Sequence, residues 1–269
     1  MRIACWNINS VRTRVHRVID LLKAHDIDVL CLQETKTADA KFPYAEFEAA
    51  GYHVAHNGTN QWNGVAIVST VEPDNVRTSF PEQPGFAKDP EAEQALESRA
   101  IGAEISGVEI WSLYIPNGRE ITDRHYDYKL QYLYALARYA ETRAQDKFLI
   151  TGDFNIAPRD EDVWDRGFFE GKTHVTEPER AAFQMLEESG LREVTRQFTA
   201  DQQYTYFDYK GFRFNKGQGM RIDFQLASAP LAAQATGAFI DLTERGGEKT
   251  SDHAPLVADY NVFDFDSVR

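Results

Sequence analysis

An α/β (α+β) fold, a single domain over residues 1–269 with mixed sheets and helices outside them, is predicted by three observations. The hydrophobic period switches from strand to helix and back between Arg2 and Leu32. The predicted strands are short, continuous apolar runs of the kind found in sheets covered by helices. No linker, repeat or low-complexity tract interrupts the chain, and 269 residues lies within the range that one hydrophobic core can serve.

In order, Arg2 to Trp6 is a short apolar strand. Val15, Val18, Ile19 and Leu22 recur at i, i+3, i+4 and i+7, an amphipathic helix, and Ile27 to Leu32 returns to a buried strand. Between 52 and 115 the pattern becomes a series of short strands, YHVAH, GVAIVST, RAIGAEI and VEIWSLYI. The stretch 72–98, with Pro73, Pro81, Pro84 and Pro90, reads as a surface loop. Tyr126, Leu130, Leu133 and Ala137 space a second long helix, and KFLITGD is a buried strand ending on a carboxylate. Thr176 with Glu179 three residues on is a capping box, so a third helix starts ahead of Phe183 and Leu186. Strands resume at QYTYF, RIDFQLA and APLVADY.

The composition suits a packed protein, and the net charge of −13 argues against a nonspecific polyanion binder. A phosphate-handling site in such a chain needs local cations or a divalent metal. No run approaches the roughly 18 apolar residues of a membrane span, and the start lacks the apolar region of a signal peptide, so the expected compartment is the cytosol. Cys5 and Cys31 sit inside apolar strands without metal-site spacing and read as core residues.

Polar residues recur where the buried strands end. Asn7 ends the first strand and Glu34 the second; Tyr114 and Asn117 follow WSLYI; Asp153 and Asn155 follow FLIT. Asp223 lies in RIDF, and Asp252 with His253 precedes the last strand. Each alone has an ordinary explanation: Glu34 as a helix cap or loop residue, Asp153 as a turn former, His253 as a hydrogen-bonded core histidine. Together they suit metal-assisted phosphoryl chemistry, with hard oxygen ligands for Mg²⁺, a base for water and donors for developing negative charge.

The segments WNINSVR, LCLQETK, YIPNG, TGDFNIAP, GMRIDF and SDHAP, in this order over almost the whole chain, resemble the exonuclease III family of abasic-site endonucleases. YIPNG together with GMRID and THVTEPER is similar to its DNA-repair branch. The resemblance implies a four-layer α/β/β/α sandwich, two packed mixed β-sheets flanked by helices. It implies a Mg²⁺-dependent enzyme, Mn²⁺ being an alternative, that cuts duplex DNA 5′ to abasic sites and trims or cleans 3′ ends. A monomer is expected, with no membrane partner.

Carried over by position, the resemblance makes Glu34 the metal ligand, with Asn7 and Asp252 near the metal or the phosphate. Asp153 would orient and deprotonate the attacking water, assisted by Asn155. His253, hydrogen-bonded by Asp223, would contact the scissile phosphate, as would Tyr114 and Asn117; the base is either Asp153 or the His253–Asp223 pair. Tyr206, Met220 and Ile222 would form the apolar pocket for an extrahelical baseless sugar. Two positions depart from the family pattern: Ser10 replaces a frequent Gly, and Tyr206 replaces a Trp or Phe.

Between Arg196 and Arg221, five cations (those two, Lys210, Arg213 and Lys216) interleave with seven aromatic residues, a composition that suits phosphate contact and stacking. The plain alternative is a strand-rich loop with core rings and solvated charges. Arg119, Arg124 and Lys129 could likewise face phosphates or line a helix's wet side. Two competing functions are a family phosphatase or phosphodiesterase acting on a lipid or nucleotide and a noncatalytic nucleic-acid-binding homologue. The second should have lost ligands that this sequence retains.

Overall fold

The computed structural model describes residues 1–262. Its strands form two six-stranded mixed sheets. The first contains β1 (Arg2–Asn7), β2 (Val29–Gln33), β3 (His53–Asn57), β4 (Val65–Ser69), β11 (Ala235–Ile240) and β12 (Leu256–Tyr260), in the order β11-β12-β1-β2-β4-β3. The second contains β5 (Asp74–Arg77), β6 (Ala100–Ile105), β7 (Val108–Tyr114), β8 (Phe148–Asp153), β9 (Leu191–Glu193) and β10 (Asp223–Ser228), ordered β5-β6-β7-β8-β10-β9.

Side-chain alternation explains the layering. Along β1, Ile3 and Cys5 point between the sheets, where they meet Val29, Cys31, Ile110 and Leu149. Ala4 and Trp6 point the other way, onto Val18 and Leu22 of α1 (Val15–Ala24) and Phe47 of α2 (Tyr44–Ala49). In the second sheet Trp111, Leu113, Ile150 and Phe224 cover Tyr132 and Leu136 of α3 (Arg124–Thr142) and Phe183 and Leu186 of α4 (Glu177–Glu188). The result is helix, sheet, sheet, helix, the four-layer sandwich. Both cysteines are buried free thiols, as the apolar context predicts.

Two expectations are corrected. QYTYF is not a strand: Tyr206 makes only isolated bridges, to Met220 and to His253, because its neighbours' amides pair with separate segments. The stretch 72–98 is not all loop, since it contributes β5 at a sheet edge. All four β5 residues are exposed, so no apolar alternation marks it. Among the described residues no helix is long and apolar enough to cross a membrane.

Candidate active site

Sheet geometry gathers the polar strand ends. β1 and β2 run parallel, as do β7 and β8, so Asn7, Glu34, Tyr114 and Asp153 all emerge at the same end. β10 is antiparallel to β8 with Asp223 opposite Asp153, and β12 is antiparallel to β1, which brings Asp252 and His253 to that end as well.

Asn7 joins the two sheets: its Nδ2 donates to Glu34 Oε1 at 2.8 Å and to Asp153 Oδ2 at 3.0 Å. His253 Nδ1 lies 2.8 Å from Asp223 Oδ2, and its Nε2 lies 3.7 Å from Asp153 Oδ2. The Asn155 amide N–H donates to Asp153 Oδ1 at 2.9 Å, and Asn117 Nδ2 donates to Asn155 Oδ1 at 3.0 Å. Burial, with the nearby Glu34 and Asp153 carboxylates adding to it, pushes the Tyr114 phenol up. Asp252 is one step removed, accepting from Asn9 Nδ2 at 3.1 Å, while the Asn9 amide donates to Asn7 Oδ1.

Burial governs the electrostatics. Asp153 is pushed up to about 7 by burial, with Asp223 and Glu34 adding to the rise against the pull of His253 and Asn7. Burial opposes the charge of His253, yet Asp223 and Asp153 push it up to about 10, so the imidazolium is a donor. Burial also works against Glu34, but Lys36 and Asn7 hold its carboxyl below the usual range.

Four carboxylates face one imidazole and one ammonium, that of Lys36, which lies 2.8 Å from Glu34 and donates to Asn9 Oδ1 at 2.6 Å. Asp223 Oδ1 is buried with no hydrogen-bond partner in the structure. This excess of hard oxygen atoms fits a divalent cation. Ligand atoms of Asp153, Asp223 and His253 lie within 4.8 Å of one another, but with His253 protonated only the carboxylates of this group could meet a cation.

The expected sugar pocket is partly rearranged. Tyr206 and Met220 line a cavity of about 140 Å³ with Trp164, Phe168 and Arg213, and the Tyr206 ring lies 5.0 Å from that of His253. Ile222 is buried in the apolar cluster with Ala157, Val163 and Val175 that supports Met220.

The basic segment divides. Arg196 pairs with Asp162 at 2.6 Å, and Arg221 is buried on the hydroxyls of Thr195 and Thr199; both are internal partners, neither solvated charges nor phosphate contacts. Arg213 stacks over Phe168 at 4.7 Å and donates to Gln218, whereas Lys210 and Lys216 are exposed. Lys129 is fully buried against Glu179, and Arg124 bonds the carbonyls of Ala87 and Lys88.

Sequence reasoning missed Lys36, Asn9 and His174. Lys36 stands two residues after Glu34, and the turn between them brings its ammonium back onto that carboxylate. His174 Nε2 lies 3.1 Å from Asn155 Oδ1 and 3.3 Å from Asn117 Nδ2; its only sequence signal was its place in THVTEPER.

The model of the endonuclease/exonuclease/phosphatase family matches residues 4–253. The chain is similar to the exodeoxyribonuclease III of Haemophilus influenzae, 33% identical over 97% of this chain and all of that one. Among solved structures, it resembles an AP endonuclease from Archaeoglobus fulgidus, with TM-score 0.89, 36% identity, and coverage of 97% of this chain and 100% of that chain. It is equally similar to the 3′ phosphatase NExo from Neisseria bound to a product DNA hairpin, again with TM-score 0.89 and 36% identity, covering 97% and 99% of the two chains.

Proposed function

The chain belongs to the endonuclease/exonuclease/phosphatase family and is a DNA-repair nuclease, and on that premise we propose that the site described above hydrolyses phosphodiesters of duplex DNA with Mg²⁺. Trimming and cleaning of 3′ ends and incision 5′ to abasic sites are its proposed reactions. The relatives named for exonuclease, 3′ phosphatase and AP endonuclease activities support both.

The observation that carries the reading is the Asn7 amide, which spans Glu34 and Asp153 across the two sheets. Glu34 would hold the cation, with Asn7 and Asp252 beside it. Bound Mg²⁺ would supply a Lewis acid for the phosphate and offset its charge. Asp153, fixed by Asn7 and the Asn155 amide, accepts the proton of the attacking water. His253, kept protonated and oriented by Asp223, donates to the phosphate, and Tyr114, Asn117 and Asn155 orient it. Lys216 and Arg213 are the proposed contacts to flanking DNA, while Tyr206 and Met220 flank an extruded sugar above Ile222. A cytosolic monomer is the proposed working form.

The test compares metal-dependent cleavage of an abasic duplex, an undamaged duplex with a recessed 3′ end, and a soluble phosphomonoester. Cleavage of at least one DNA in Mg²⁺, abolished by chelation, is expected. Hydrolysis of the phosphomonoester alone would replace this reading with a phosphatase.

A further inference from the structure

Next to the proposed metal ligand lies a side-chain relay, its hydroxyl and imidazole buried and its carboxylate exposed, that the reaction does not use. His56, near the end of β3, places Nε2 at 2.7 Å from Thr35 Oγ1 and Nδ1 at 2.7 Å from Asp39 Oδ1. The order hydroxyl, imidazole, carboxylate is that of a nucleophilic triad. Thr35, however, is fully buried, so no substrate reaches its oxygen. The relay therefore holds Thr35 rather than activating it.

Thr35 needs holding because of its neighbours. Glu34 and Lys36 both sit in the left-handed region, at φ 50° and 52°, where side chains are disfavoured unless the surroundings impose it. The backbone of this turn is fastened from both sides. The Thr35 and Lys36 amides donate to Gly64 O and Asn63 O, and Glu34 O and Thr35 O accept from Ser10 and Val11. Gly64 opens the room: a Cβ there would stand 2.1 Å from Thr35 Oγ1. The hydroxyl that occupies this room is fixed by an imidazole packed on Phe42, with ring centroids 4.3 Å apart. Asp39 Oδ1, which also accepts the Gly58 amide at 2.8 Å, lies 2.7 Å from Nδ1 but out of line for a hydrogen bond, so the ring is held by its contact with Thr35 and by Phe42. Burial, against the pull of Asp39, pushes His56 down to about 4, so the imidazole stays neutral at physiological pH.

We propose that His56 is a positioning residue: through Thr35 it holds the strained turn that presents Glu34, and it thereby sets the affinity of the site for a divalent cation. This rests on Glu34 being a metal ligand. Removing a group that orients a ligand weakens metal binding by about 10–100-fold.

The experiment titrates Mn²⁺ into the DNA-free protein, reading bound ion by electron paramagnetic resonance, for wild type, Glu34→Gln, His56→Leu, His56→Gln and Thr35→Val. Cleavage is then measured against Mg²⁺ concentration. His56→Leu and Thr35→Val should each weaken Mn²⁺ binding by about 10-fold or more and raise the Mg²⁺ needed for half-maximal rate. Their rate at saturating Mg²⁺ should stay near wild type, and His56→Gln should recover part of the affinity. Thr35→Val keeps the side-chain shape, so it carries the test if His56→Leu does not fold. Affinity lost in Glu34→Gln but unchanged in folded His56→Leu and Thr35→Val would overturn the role of His56 and leave the metal reading standing. Affinity unchanged in all four variants would overturn both.

Discussion

At the scale of single residues, the proposed roles separate holding a charge from moving a proton. Asp153 accepts hydrogen bonds from Asn7 and the Asn155 amide on its two oxygens, and an amide in its place keeps the shape but cannot accept the proton of water. Asp153→Asn is predicted to bind DNA as wild type while its single-turnover rate falls by about 10²–10⁴-fold. A near-normal rate would move the base to His253. Glu34→Ala should instead weaken Mn²⁺ binding and lose its rate at limiting Mg²⁺, with part regained at high metal, since it removes a hard ligand and not the base. Tyr206 is the departure from the family pattern that faces the cavity, and Tyr206→Ala should cut abasic incision by about 10-fold or more while 3′-end trimming falls less. Terminal nucleotides fray and rely less on a fitted pocket. An unchanged preference for abasic over undamaged duplex in a folded Tyr206→Ala protein would exclude the pocket.

At the scale of elements, two loops of the site hang on one buried ion pair. Lys129 on α3 donates to the carbonyls of Asn117 and Asn155, and Glu179 on α4 accepts from Lys129, Thr173, the His174 amide and Thr176. Burial works against Glu179, but Lys129 and these donors hold it down at about 2. A depressed folded value means stability that is full above the unfolded range near 4 and is lost as pH falls towards 2. Acid unfolding followed by circular dichroism should therefore flatten in Glu179→Gln; an unaltered acid limb would remove Glu179 as a cause. Lys129→Met alone should cost about 3–5 kcal/mol, because it strands a buried carboxylate, and the double variant with Glu179→Leu should cost less. The capping box made α4 legible from Thr176 and Glu179, yet the same sequence read Lys129 as a surface cation. Helical spacing gives the face of a residue but not the carboxylate waiting on another helix. The strand ends were readable because continuous apolar runs stop abruptly at Asn7, Glu34 and Asp153. QYTYF misled because its alternation serves bridges to Met220 and His253 rather than a ladder.

At the scale of the whole molecule, an acidic protein is expected to act on a polyanion. With 42 acidic against 29 basic residues, the net charge of −13 repels DNA at long range, so binding must come from a local arrangement. The four-layer fold provides one by burying Lys129, Arg221 and Arg196 as internal partners and leaving Lys210 and Lys216 exposed in the segment beside Tyr206. Each phosphate neutralised releases counterions, so duplex affinity should fall linearly on a log–log plot against salt. Lys216→Glu is the cleaner probe, because Arg213 also stacks on Phe168 and its loss would disturb the cavity wall. Lys216→Glu should weaken binding to abasic and undamaged duplexes alike and reduce the salt slope by about 1, as expected for a contact that positions the backbone and reads no base. Anisotropy titrations in Ca²⁺, run from low to physiological salt, would measure both quantities without turnover. A slope equal to that of the wild type would mean that this segment's exposed charge is only solvated surface, and the search for the DNA-facing cations would move to Lys36 and Arg119.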